Sequence, residues 1–367
     1  MIALTHKTGD MPPSLTAAYG AAVRQRVYLF LFLLIMLVVL AVYAIAAGTY
    51  DLSSLEVVRA LLGQGEGAQN IVVWNIRMPR IVAAVVAGWG LALSGMAIQC
   101  LLRNPLGSPF TLGISHGAAF GAAFAIVILG AGATQTGSLR TSASALVFLH
   151  NVYSVTFFAF LGSMAATLVI LLLSKIKQMG AASIILAGVA LSSLFVSGTI
   201  LIQYFATEVE VATIVFWTFG DVSRSSWQEI AIMSGAAVLV TVYFVINRWN
   251  LNALSSGEDV AKGLGVEVER IRLWGMFMAA LVAALVTAFH GVIAFLGLLA
   301  PHIAKRMVGA DHRLLIPYAC LIGALILLLA DTVGRVVVGS GTLPVGVLTS
   351  FMGAPLFLYL LVRGYSK

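Results

Sequence analysis

The chain has 367 residues, of which 60% are hydrophobic and only 10% charged, and its mean hydropathy is +1.03. A water-soluble domain of this length needs far more charge to cover its surface, so the composition excludes one and indicates a protein built mostly inside a membrane. Lys and Arg outnumber Asp and Glu by 21 to 14, a formal net charge of +7.

Hydropathy predicts ten spans, in chain order 27–48, 81–102, 111–131, 146–173, 181–203, 230–247, 273–290, 292–306, 314–333 and 344–362. Residues 1–26 read as an N-terminal extension. The first span follows Arg24 and Arg26, but its 22 uncharged residues exceed the roughly 7–15 of a cleaved signal, so it is read as an uncleaved crossing. Gly90 with Gly95 gives the second span a tight face. In the third, Gly113, Gly117 and Gly121 make two small-xxx-small steps, which let helix backbones approach closely where lipid removes the hydrophobic incentive to associate. In the fifth, Gly188, Ser192, Thr199 and Gln203 fall within roughly a 60° arc at 100° per residue. Such a stripe either packs on a neighbour or lines a path, and spacing alone leaves both open. Cys100 and Cys320 lie in apolar segments without metal-ligand spacing and read as small buried hydrophobes.

The longest polar segment, 248–272, reads as two short helices divided by Gly263 and Gly265, with Ser255, Ser256, Glu258 and Asp259 near the start of the first. The residues by themselves favour an ordinary solvated loop there. From 273 to 304 no Asp, Glu, Lys or Arg occurs in 32 residues, whereas one crossing needs roughly 20. The run must therefore fold back, and Gly291 and Pro301 are where it can, which predicts two crossings with the second short and broken. Lys305, Arg306 and Arg313 follow directly.

An even number of spans puts both termini on one side. Loops on that side carry fifteen Lys and Arg against six on the other, which predicts cytoplasmic termini. The basic balance follows largely from this topology and gives no reason to infer nucleic-acid binding. No phosphate loop, HExxH, Cys-His cluster or buried carboxylate pair occurs, so neither a catalytic site nor a metal site is expected. Asp331, near the end of the ninth span, is not part of an embedded chain of titratable groups such as a proton-coupled pump would need.

Three blocks carry a resemblance. Residues 77–122, RMPRIVAAVVAGWGLALSGMAIQCLLRNPLGSPFTLGISHGAAFGA, contain R-x-P-R, G-x-x-x-Q, N-P-L-x-x-P and L-G-x-x-x-G-A elements in order. Residues 255–266 read SSGEDVAKGLGV, and residues 291–355 run from GVIAFLGLLAPHIAKRMVGADHR to LPVGVLTSFMGAP. These resemble the permease subunits of type II ATP-binding-cassette importers, the FecCD family of vitamin B12, haem and ferric-siderophore permeases. The similarity covers nearly everything after residue 26. It implies an all-α membrane protein with about ten transmembrane helices per subunit, a permease domain over 27–367, and function as a homodimer.

By the same resemblance, the path is lined by Gly188, Ser192, Thr199 and Gln203 of the fifth span. Ser256, Gly257, Glu258, Ala261, Leu264 and Gly265, within about 251–266, look like a coupling segment for two copies of a separate ATPase, and this overturns the solvated-loop reading. Arg77, Arg80 and Arg335 match positions that meet carboxylates of a substrate-binding protein, a fitting role for exposed arginines. The chain itself needs no cofactor; ATP and Mg belong to the ATPase. The implied location is the bacterial inner membrane, in contact with lipid.

Iron chelates are the first expectation for cargo. His150 and His290, near the external ends of their spans, tilt this slightly toward haem over a ferric siderophore. A corrinoid is the alternative, and an ion-coupled secondary transporter is the rival from another class. Lys305 stands where the pattern has arginine, keeping the charge but not the planar fork. Residues 1–26 have no counterpart.

Overall fold

The computed structural model describes residues 15–47, 54–65, 67–131, 145–177, 180–337 and 343–364, and among them the regular structure is helical throughout. A single hydrophobic bundle results, because a backbone surrounded by lipid must satisfy its hydrogen bonds within each segment. The elements are α1 (Leu15–Ala46), α2 (Ser54–Leu61), α3 (Gly67–Ile71), a π turn (Val72–Arg77), α4 (Met78–Leu101), α5 (Ile114–Val127), α6 (Ala145–Lys177) and α7 (Ala181–Phe205). Then follow α8 (Glu208–Thr218), a 3-10 turn (Val222–Arg224), α9 (Trp227–Ile246), α10 (Arg248–Ser256), α11 (Glu258–Gly263), α12 (Val268–His290), α13 (Leu296–Val308), α14 (His312–Val337) and α15 (Val345–Gly364).

Each of the ten predicted segments falls on a helix. Seven stretches are long and apolar enough to cross a membrane, on α1, α3–α4, α6, α7, α9, α12 and α14, while α5, α13 and α15 supply shorter segments. Helix α1 begins at Leu15, so part of the predicted extension is already helix, and residues 1–14 lie outside the described residues.

Helix α4 is the axis of the bundle, packed against α12, α13 and α14. Its glycines set how closely these neighbours approach. A β-carbon at Gly88 would run into the backbone of Gly323 on α14, and one at Gly95 into the backbone of Gly297 on α13. Gly90 instead meets Val282 of α12, so Gly90 and Gly95 serve two neighbours rather than one tight face. In α5, Gly117 and Gly121 face Gly162 and Phe158 of α6 as the small-residue spacing predicts, whereas Gly113 caps the start of α5 and lies against Ser192.

The uncharged run 273–304 folds back as expected, but not where the second break was placed. The reversal is confined to residues 291–295, and α13 continues unbroken through Pro301. Proline 301 has no N–H for the carbonyl of Gly297, four residues earlier. Gln99 Nε2 of α4 approaches that carbonyl at 3.5 Å and the carbonyl of Leu298 at 3.3 Å, so a neighbouring helix covers the gap.

Replacing Gly95 by valine would force α4 and α13 apart. The expected cost is about 1–3 kcal/mol or outright failure to fold, read as a lowered melting temperature or loss of the monodisperse peak in detergent.

Candidate functional site

The chain gathers its polar chemistry at the two ends of the bundle. At one end, α10 and α11 form the predicted pair of short helices, but Gly257 divides them rather than Gly263 and Gly265, which close α11. Gly257 adopts φ 140° and ψ 149°, a conformation that a side chain would strain. Ser255 and Ser256 therefore end α10, while Glu258 and Asp259 open α11, where carboxylates complement the helix dipole.

Glu258 pairs with Arg272 of α12 at 2.9 Å and with Lys262 one turn on at 3.5 Å. Arg272 also donates to the carbonyl of Leu101 at 3.4 Å, tying α11 and α12 to the end of α4. Partial burial works against ionisation of Glu258, but the Arg272 and Lys262 contacts outweigh it and hold the carboxyl below its ordinary value. Ala261 is buried beneath α11, whereas Val260 and Leu264 are 50% and 70% exposed. Asn252 of α10 binds Asp311 at 2.9 Å and accepts from His312 of α14, its backbone N–H at 2.9 Å and Nδ1 at 2.7 Å. Of the predicted coupling residues, Ser256, Gly257, Glu258, Ala261, Leu264 and Gly265 thus lie on or just past one pair of short helices, fastened from behind, with Val260 and Leu264 exposed in front beside Asp259 and Lys262.

At the other end, Arg77, Arg80 and Arg335 come together, but not as the exposed arginines expected from the sequence. Arg80 binds Asp331 at 2.8 Å and Arg335 approaches the same carboxylate at 3.2 Å, with Asp331 only 1% exposed. Arg77 donates to the carbonyls of Ile45 and Ala46, and Arg335 to those of Ala44 and Ala47. The cause is local: α1 ends there with orphan carbonyls, and the arginines satisfy them.

The polar stripe of α7 splits in two. Gly188 packs on the backbone of Thr111 and Leu112, and Ser192 Oγ returns to its own helix at Gly188 O, 2.8 Å away. Thr199 and Gln203 instead line a cavity of about 280 Å³ with Phe110, Ser115, His116 and Thr218. Thr199 Oγ1 also bonds its own helix, at Phe195 O, 2.8 Å away.

His290 does not sit at an entrance. It is fully buried, its ring within 3.3 Å of Ser225 Oγ and its carbonyl accepting from Asp221 N–H at 2.7 Å. The side chain of His150 lies outside the described residues. Sequence reasoning missed Asp331 as the centre of the arginine cluster, although an acid four residues before Arg335 in an apolar helix was a usable signal. It also missed Arg272 and Asn252, whose partners lie 14 and 59–60 residues away in sequence and left no local pattern.

The described residues thus form a multi-span helical bundle with a pair of short helices fastened at one end. The FecCD transport family model matches residues 34–363, and the chain belongs to that family. A Methanocaldococcus jannaschii protein named as an ABC transporter permease is 48% identical over 350 residues, 95% of this chain and 98% of its own length. The hemin transport system permease of Yersinia pestis is 35% identical over 333 residues, 90% and 94% of the two chains. A solved structure described as an inward-facing metal-chelate type ABC transporter superposes with a TM-score of 0.77 at 31% identity, covering 92% of this chain and 99% of that one. The fold is that of a type II ABC importer permease. The chain is not an enzyme, and ATP hydrolysis belongs to a separate subunit of such importers.

Two outcomes follow from the ends of the bundle. Asp331→Asn leaves two buried guanidinium groups facing a neutral amide, and the expected loss is about 3–5 kcal/mol of stability, read as a melting shift in detergent. Because the Glu258 carboxyl is held below its ordinary value, its anchor is fully present above the ordinary carboxylate range. It is lost as pH falls through the depressed value. Hydrogen exchange across 257–266 should therefore rise on acidification, and Glu258→Gln should abolish that pH dependence.

Proposed function

We propose that the chain works as a homodimeric permease that imports a metal chelate, handed over by a substrate-binding protein and driven by two ATPase subunits that bind the ATP and Mg. The carrying observation is the α10–α11 unit: Val260 and Leu264 face outward while Glu258 and Asn252 fasten the unit to α12 and α14. A push on that surface moves two helices that run the depth of the bundle. Residues 251–266 are thus the coupling segment, and both termini belong on the cytoplasmic side of the cell membrane.

Binding-protein docking is assigned to the opposite end. The guanidinium groups of Arg77, Arg80 and Arg335 gather there, and such a cluster of cations suits acidic lobes without requiring any arginine to be free. Two copies of α7, each with Leu194, Ile200 and Leu201 exposed beside Thr199 and Gln203, form the path between the subunits.

An iron chelate is the cargo favoured here, supported by the haemin-permease relative and by the metal-chelate transporter structure. The tilt toward haem that rested on His290 is withdrawn, since that ring is enclosed and held by Ser225. The absorption spectrum of the cognate binding protein purified with its ligand decides the cargo: a Soret band identifies haem, and a ferric-siderophore or corrinoid spectrum excludes it.

The function is tested by reconstitution with the ATPase. ATP-dependent, binding-protein-stimulated uptake should fall at least about tenfold in Leu264→Asp, whose exposed position spares the fold. Unchanged uptake in a folded L264D protein, or uptake driven by an ion gradient without ATPase, overturns the proposal.

A further inference from the structure

Two adjoining cavities, of about 280 and 540 Å³, run from the start of α5 beside Thr199 and Gln203 to the face of α15, and they share Phe110, Thr218 and Val292. No charged residue lines either one, and the larger is apolar apart from Thr218 and Ser350. His116, in the first turn of α5, is the one titratable side chain among the lining residues. Its ring is half-buried and packs on Phe110, centroid to centroid 4.7 Å. The imidazole is thus held in place at the wall of an uncharged groove.

Donors are scarce along this wall. Thr199 gives its hydroxyl proton to Phe195 O at 2.8 Å and Thr218 gives its own to Val215 O at 2.7 Å, so both turn only lone pairs outward. Ser115, His116 and Gln203 are the groups of the smaller cavity with a proton still to give. The ring of His116 fixes which nitrogen gives it. Nδ1 is enclosed and has no hydrogen-bond partner among the described residues, whereas Nε2 is not enclosed. A proton on Nδ1 would be a buried orphan donor, a rare and costly defect. A metal-bound imidazole, moreover, hands its second N–H to an acceptor, and Nδ1 has none. The neutral ring therefore carries its proton on Nε2, at the accessible edge.

We propose that His116 is a specificity-determining residue of the path, donating from Nε2–H to an oxygen on the organic part of the cargo and not binding its metal. The inference rests on the transport reading above and narrows the cargo to a bulky chelate with oxygen acceptors at its rim. A small oxyanion does not fit, because no lining cation balances its charge. Haem carboxylates, hydroxamate oxygens and corrinoid amides share the required chemistry.

The test uses the complete importer in proteoliposomes, with its binding protein offered radiolabelled haemin, ferrichrome or cyanocobalamin. The probe that the binding protein retains separates the three sources. Its ATP-dependent uptake should slow about tenfold in His116→Ala, the loss of one hydrogen bond in a dry site. The fall should lie in the maximal rate, with the half-saturating concentration of loaded binding protein unchanged. His116→Gln, which still donates, should restore most of the rate, and His116→Met, which can bind a metal but cannot donate, should not. Unchanged uptake in His116→Ala, recovery in Met but not Gln, equal loss in all three variants, or a binding protein that retains none of the probes overturns the proposal. Retention of a probe without ATP-dependent uptake by the unsubstituted chain is instead the failure of the transport reading itself.

Discussion

A charge in a lipid-exposed bundle has to be paired inside the chain, and the cluster of Arg80, Asp331 and Arg335 is where this fold meets that constraint. Asp331 is 1% exposed, so it is sustainable only because two guanidinium groups face it. The same cluster holds α1. That helix exposes most of its apolar surface, and lipid offers it no hydrophobic reason to stay with the bundle. Its last carbonyls are instead taken by Arg77 and Arg335, and near the start of its apolar stretch, Val23–Ala46, the Tyr318 hydroxyl donates to the carbonyl of Arg26. Polar contacts near both ends of the apolar stretch thus pin a helix that packing alone would hold weakly.

The opposite end repeats the device with different residues and a different consequence. Glu258 with Arg272, and Asn252 with Asp311 and His312, attach two short helices rather than one long one. Helix α14 carries an attachment of this kind at each end, Asn252 at its start and Arg80 near its finish. Helix α12 is fixed likewise, at Arg272 and again where Ser225 and Asp221 hold His290. A displacement of α10 and α11 therefore has two stiff routes to the far face, one of them ending in the arginine cluster.

How much of this was legible in the sequence depended on the range of the interaction. The ten apolar segments were legible because span length and absence of charge are local properties. Gly117 and Gly121 were legible because small-residue spacing is a property of one helix face. Gly257 was not chosen as the divider of the coupling helices, since Gly263 and Gly265 offered the same residue type and only backbone conformation distinguishes them. The three arginines do gather in one cluster but were read as exposed, because their partners are the carbonyls of α1 and a carboxylate 251 residues from Arg80. His290 misled for the same reason: Ser225, 65 residues away, had no pattern linking it to that ring.

The Pro-His pair shows most clearly how a sequence marker can be architecture rather than chemistry. Proline inside a helix normally kinks it by leaving a carbonyl without its donor. Here Gln99 of α4 approaches that carbonyl, and it can do so only because Gly95, one turn earlier on the same face, lets α4 come against the backbone of Gly297. Gly95, Gln99, Gly297 and Pro301 therefore act as a unit. A side chain at either glycine would separate the helices and withdraw Gln99 from the gap. That closeness also brings the end of α13 beside the end of α4, which is what sets Lys305 and His302 opposite Arg103 around a single cavity.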